Sequence, residues 1–161
     1  MPNASPEAPS AAQIAYAVKS FLACIEDDAA CDEARLAAAA RALDLVSLAY
    51  YDSVAPTHAA SEGAPPQRDY KVMREKVAAR FPTLGYYGAA PPGSTIEAEI
   101  TVGDAIDDLT DIYSELQDVA WCLETTSPLD AIRLFRFGFT HHWGRHVCDV
   151  RGAIHFELFG M

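Results

Sequence analysis

The residues best equipped for chemistry lie late in the chain, in Phe139-Thr140-His141-His142-Trp143-Gly144-Arg145-His146. This run holds three of the five histidines, so any imidazole chemistry is concentrated here. His142 and His146 are four apart and stack on one face if the segment is helical. Two imidazoles so placed can chelate a metal, bind an anion, or hydrogen-bond across a helical bundle. Their spacing equals that of the HExxH zinc proteases, but Trp143 follows His142 where a general base would be needed. That protease chemistry is therefore set aside.

A second polar set lies upstream. Asp104, Asp108, Asp111 and Glu115 recur at i, i+4, i+7 and i+11. This spacing is that of carboxylate di-metal bundles, which also carry Glu-x-x-His motifs that this chain lacks. On a helical wheel the stripe is centred about a third of a turn from the apolar face, so a solvated face is expected. Asp108 and Glu115 lean closest to the core. Tyr113 falls within the apolar arc, where its hydroxyl needs a partner.

These sets are positioned by helices. Ile14, Val18, Phe21, Leu22 and Ile25 mark the first, with Ser10 and Gln13 as its capping box. The second starts near Asp28–Asp32, with Leu36, Ala40, Leu43, Ser47, Tyr50 and Val54 as its core stripe. Prolines and a glycine make 55–68 a loop. A short third helix covers about 69–81, with an apolar edge of Tyr70, Met73, Val77 and Phe81. Its basic faces are expected to lie near the acids of helix four. Residues 82–103 form a long loop held in order by Tyr86 and Tyr87. The alternation of Ile96, Ala98, Ile100 and Val102 suggests a short extended segment, but a lone strand builds no sheet.

Thr101 and Asp104 resemble a capping box for a fourth helix running to about Glu124. Ser127-Pro128-Leu129-Asp130 is a strong start for a fifth, read as continuous from 128 to about 157. Its first half is apolar nearly all round, which predicts the central, buried element of the bundle. On that wheel His142 and His146 face inward and His141 does not. Asp149 is within reach on the same helix. Gly138, Gly144 and Gly152 interrupt it and point either to close helix packing or to an approaching ligand or partner backbone.

Bulk properties bound the rest. The net charge of -11 disfavours nucleic acid and anionic membrane surfaces as partners. No apolar run is long enough to span a bilayer, and the start lacks a signal peptide's basic and apolar segments. The scattered Cys24, Cys31, Cys122 and Cys148 form no CxxC pair, consistent with reduced thiols and a cytoplasmic location. The expected architecture is all-α, a compact bundle of about five helices with one long ordered loop between helices three and four. Residues 1–9 read as a disordered lead-in and 10–161 as a single helical domain.

Asp111-Ile112-Tyr113-Ser114-Glu115-Leu116 and His142-Trp143-Gly144-Arg145-His146, followed by Arg151, Ala153, Ile154 and His155, carry a resemblance. With Phe81-Pro82 and Tyr86-Tyr87, they resemble a bacterial helical family catalogued as domain of unknown function 5063. The likeness covers most of the chain and is strongest over 104–156. It implies a compact helical domain in a bacterial cytoplasm and implies no activity.

The leading functional reading is a non-enzymatic module that binds a small ligand or protein. Its candidate pocket lies between helices four and five and involves Asp108, Asp111, Tyr113, Glu115, His142, Trp143, Arg145 and His146. No cofactor is expected on this reading. The alternative is a metal-dependent enzyme in which His142 and His146 hold a divalent ion, with Asp108 or Glu115 completing the site or acting as base. A third reading is a purely structural or oligomer-forming protein whose polar seam fixes helix register. The sequence leaves the oligomeric state open.

Overall fold

A computed structural model describes residues 7–26, 31–56, 63–90, 93, 95 and 100–160. Among these residues there are six helices and one two-stranded sheet. The helices are α1 (Glu7–Glu26), α2 (Asp32–Asp52), α3 (Tyr70–Arg80), α4 (Ala105–Thr125), α5 (Pro128–His141) and α6 (Trp143–Phe159). The strands, β1 (Tyr86–Ala89) and β2 (Thr101–Asp104), lie between α3 and α4. No helix among the described residues is long and apolar enough to cross a membrane.

The expectation of five helices and no sheet is corrected in two places. The fifth helix is two helices, broken at His142, whose φ of -140° and ψ of -87° are not helical. Gly144 explains the corner: a Cβ there would fall on the carbonyl oxygen of Phe139, so only glycine lets α6 start so close to the end of α5. The two ends of the long connection pair as antiparallel strands, in which Tyr86 faces Asp104 and Ala89 faces Thr101. Of the extended segment anticipated at 96–102, Ile96 and Ala98 lie outside the described residues.

Helix starts follow side-chain chemistry. Asp69 caps α3, its carboxylate accepting from the backbone N–H of Lys71 and Val72. Asp104 itself caps α4, accepting from Ile106 and Asp107, while Thr101 sits in β2 and donates to the Ala89 carbonyl. Ser127 caps α5 as its spacing predicts, with Pro128 in the first turn. The first helix already includes Glu7, one turn before the anticipated cap at Ser10. The Ser10 hydroxyl instead accepts from Val54 N at 3.3 Å.

The central element is α4, which packs against α1, α3, α5 and α6. Ile106, Leu109, Ile112, Leu116 and Val119 on it are buried, as the apolar stripe requires. α5 is not buried all round: Ile132 and Phe135 are fully covered, but Phe137 is 64% exposed. In α2, Leu36, Ala40 and Leu43 are buried as read, whereas Val54 is exposed and lies past the helix end. The basic side of α3 meets the acidic side of α4. Arg74 bonds Asp104 at 2.6 Å and lies 3.6 Å from Asp107.

Candidate metal centre

α4 and the first turn of α6 bring the polar set together. The corner at His142 turns the imidazoles of His142 and His146 onto the α4 stripe, rings edge-on with centroids 5.3 Å apart. His142 Nδ1 lies 2.5 Å from Glu115 Oε1, and His146 Nδ1 lies 2.6 Å from Asp108 Oδ1. An ionised carboxylate only accepts, so each Nδ1 carries a proton and donates. In the neutral rings the lone pairs then sit on the Nε2 atoms. These converge on one oxygen: Asp111 Oδ2 is 3.9 Å from His142 Nε2 and 3.6 Å from His146 Nε2. Ligand atoms of Asp111, His142 and His146 all lie within 4.8 Å of one another.

A further layer fixes these atoms. The Tyr87 hydroxyl, from β1, donates to Asp108 Oδ2. The Tyr70 hydroxyl, at the start of α3, lies 2.7 Å from Asp107 Oδ1 and 3.0 Å from Asp111 Oδ1 and shares its proton between them. Asp111 Oδ1 is thus engaged, leaving Oδ2 toward the histidines. Burial, reinforced by these bonds to carboxylates, pushes both phenols well above their usual range, so they stay donors. The hydrogen bond to Asp108 raises the His146 pKa, against the opposing effect of burial. Asp108 is only 10% exposed and His142 is 50% exposed, so the cluster runs from the protein interior to solvent.

Of the eight candidate residues, five meet here: Asp108, Asp111, Glu115, His142 and His146. Neither histidine is a core residue, and the acidic stripe is not simply a solvated face: the histidines reach it from the α5–α6 corner. Tyr113 points the other way. Its hydroxyl donates to Glu26 Oε1 at 3.0 Å and accepts from Lys76 Nζ at 3.2 Å. Trp143 is fully buried, edge-on to Phe135 and Phe139, and wedges the corner rather than lining a pocket. A Cβ on Gly138 would collide with both the Trp143 indole nitrogen and Glu115 Oε2. Arg145 is exposed and pairs along its own helix with Asp149 at 3.3 Å. Tyr70 and Tyr87 read as packing aromatics in the sequence, which hides their hydroxyls. A phenol opposite an acidic helix was the signal available.

The fold and site define a helical bundle with a histidine–carboxylate cluster between two of its helices. The chain belongs to the family described as Domain of unknown function (DUF5063), which it matches over residues 7–159. It is similar in structure to protein BF1032 from Bacteroides fragilis, known from a crystal structure, with a TM-score of 0.74 and 16% identity. The match covers 93% of this chain and 92% of that one. At this identity the likeness shows a shared fold. No curated protein matches.

Proposed function

We propose that this protein binds a divalent transition-metal ion through His142 Nε2, His146 Nε2 and an Asp111 carboxylate oxygen. The observation that carries the reading is the use of the other atoms. Both Nδ1 atoms are held by carboxylates and Asp111 Oδ1 is held by Tyr70, so each ligand is oriented by its non-ligating atom. Carboxylate-held histidines of this kind recur around metal sites, where the partner fixes the tautomer and raises ligand basicity. Nitrogen and oxygen ligands about 2.1 Å from a tetrahedral ion lie about 3.4 Å apart. The observed 3.6 and 3.9 Å from Asp111 to the two imidazoles need a few tenths of an ångström of closure, and all three ligand atoms lie within 4.8 Å of one another.

Two histidines and one carboxylate leave coordination positions open, the arrangement of catalytic rather than closed structural sites. A bound ion would keep a water or substrate there, on the exposed His142 side. This reading is preferred to the small-ligand or protein-binding module because the polar groups converge on one another, not on an apolar-walled pocket.

Titration with cobalt(II) tests the proposal. One ion per chain is expected, with visible ligand-field bands and no intense thiolate charge-transfer band. His142→Ala, His146→Ala and Asp111→Asn should each abolish the signal while leaving the protein folded. If the folded wild-type chain takes up no ion, the cluster is an ion-pair seam that holds the α5–α6 corner on α4.

A further inference from the structure

Gly152 is the one of the three late glycines that the chain's own packing does not explain. A Cβ there would meet nothing within 4 Å among the described residues, yet glycine weakens a helix interior. It lies in the wall of a groove of about 710 Å³ between α6 and the hairpin, lined on one side by Cys148, Gly152 and Phe156 and on the other by the whole of β1.

Among the described residues, the β1 wall is an unpaired strand edge. Ala105 N bonds the Gly85 carbonyl, so the paired register makes Tyr87–Gly103 and Ala89–Thr101 the hydrogen-bonded pairs. The N–H and C=O groups of Tyr86 and Gly88 therefore point away from β2, and no described residue pairs with them. The rim is apolar: Tyr86 is 79% and Phe156 62% exposed. Its ends are acidic, with Asp149 at one and Glu157 at the other, and no Lys or Arg lines it among the described residues. Arg145 offsets Asp149 in part; Glu157 makes no ion pair among the described residues.

The dimensions agree. From Asp149 to Glu157 α6 rises about 12 Å, and the four residues of β1 span about 13 Å. We infer that this groove docks an extended peptide segment of about four residues, which adds as a strand to β1 and carries basic residues at its ends. Strand addition supplies backbone hydrogen bonds, and alternate side chains meet the apolar α6 wall. Gly152 lets the incoming backbone approach that wall. The charge favours a basic partner over a second copy of this chain, whose net charge is -11.

The probe is a capped synthetic peptide with an alternating valine–threonine centre between two lysines, titrated into the full chain labelled with ¹⁵N. Saturable shifts are expected at Tyr86–Ala89 and Gly152–Phe156, weakening as salt is raised. Gly152→Leu, whose Cβ meets nothing within 4 Å among the described residues, should weaken binding by about tenfold or more, with an otherwise unchanged ¹⁵N spectrum showing that the fold is kept. A peptide with glutamate for lysine, and one N-methylated on the amides that pair with β1, should not bind. The proposal is overturned if the lysine peptide gives no saturable shifts or shifts elsewhere. Equal binding of either control, or unchanged affinity in Gly152→Leu, also overturns it. So does light scattering that shows a groove-dependent dimer.

Discussion

Replacing Asp108 with asparagine keeps the shape of the side chain and removes its charge. Asp108 is nearly buried and accepts from both His146 Nδ1 and Tyr87. An asparagine can still accept the histidine proton, but through a neutral bond worth about 1 kcal/mol less than the charge-assisted one. For a chain of this size that lowers the metal-free Tm by about 2–4 °C. The larger effect is on the ion. Loss of a carboxylate behind a ligating histidine weakens metal binding about 10–100-fold. At a zinc concentration 100 times the wild-type Kd, the wild type gains about 2.7 kcal/mol. The variant, with its Kd raised, gains only about 0.4–1.4 kcal/mol. Thermal unfolding with and without zinc reads this directly: a rise of about 5–11 °C in the wild type against about 1–6 °C in Asp108→Asn. An equal zinc-induced rise in both proteins would refute the argument that Asp108 orients a ligand.

Other outcomes follow from the same geometry. Gly144→Ala forces a methyl group onto the Phe139 carbonyl and should destabilise by about 1–3 kcal/mol. Gly152→Ala meets nothing within 4 Å among the described residues and should stabilise by about 1 kcal/mol, the two signs being read from denaturant midpoints. In the metal-free protein the raised pKa of His146 contributes stability below its ordinary value of 6.5, and this is lost as pH rises through the raised folded value. Metal affinity must run the opposite way, increasing over that window, because the ion competes with the Nε2 proton. Zinc titrations at several pH values should show the two trends crossing; parallel trends would contradict the shared-site account. Tyr113→Phe removes the tie to Glu26 and Lys76, costing about 0.5–1.5 kcal/mol, and should leave the zinc response unchanged.

Much of this architecture is legible in the residues. The apolar stripes of α1 and α4, the Met73, Val77 and Phe81 part of the α3 edge, where Tyr70 is exposed, and the Ser127 cap follow from periodicity and local chemistry. So does the pairing of the basic α3 with the acidic α4, since the two charge runs are otherwise uncompensated. The break at His142 was not legible. It depends on Gly144 fitting over a carbonyl five residues earlier, a contact that no wheel displays. Treating 128–157 as one straight helix turned both histidines toward the core and placed Trp143 beside them. The real corner sends the imidazoles to the α4 surface and the indole inside. The hairpin is not legible, because Tyr86–Ala89, with a glycine and little alternation, has no strand signal without its partner β2. Tyr113 shows the limit of arc-based reasoning: its ring is buried as predicted, but its hydroxyl reaches past the cluster toward α1 and α3.

The central claim is that two Nε2 atoms and one Asp111 oxygen hold an ion. Anomalous diffraction from crystals grown with zinc tests it most directly. The account predicts a single peak about 2.0–2.2 Å from His142 Nε2, His146 Nε2 and an Asp111 oxygen, with Glu115 and Asp108 still on the Nδ1 atoms. A cluster unchanged by zinc, or an ion held instead by cysteine sulfur or by Nδ1, would contradict it.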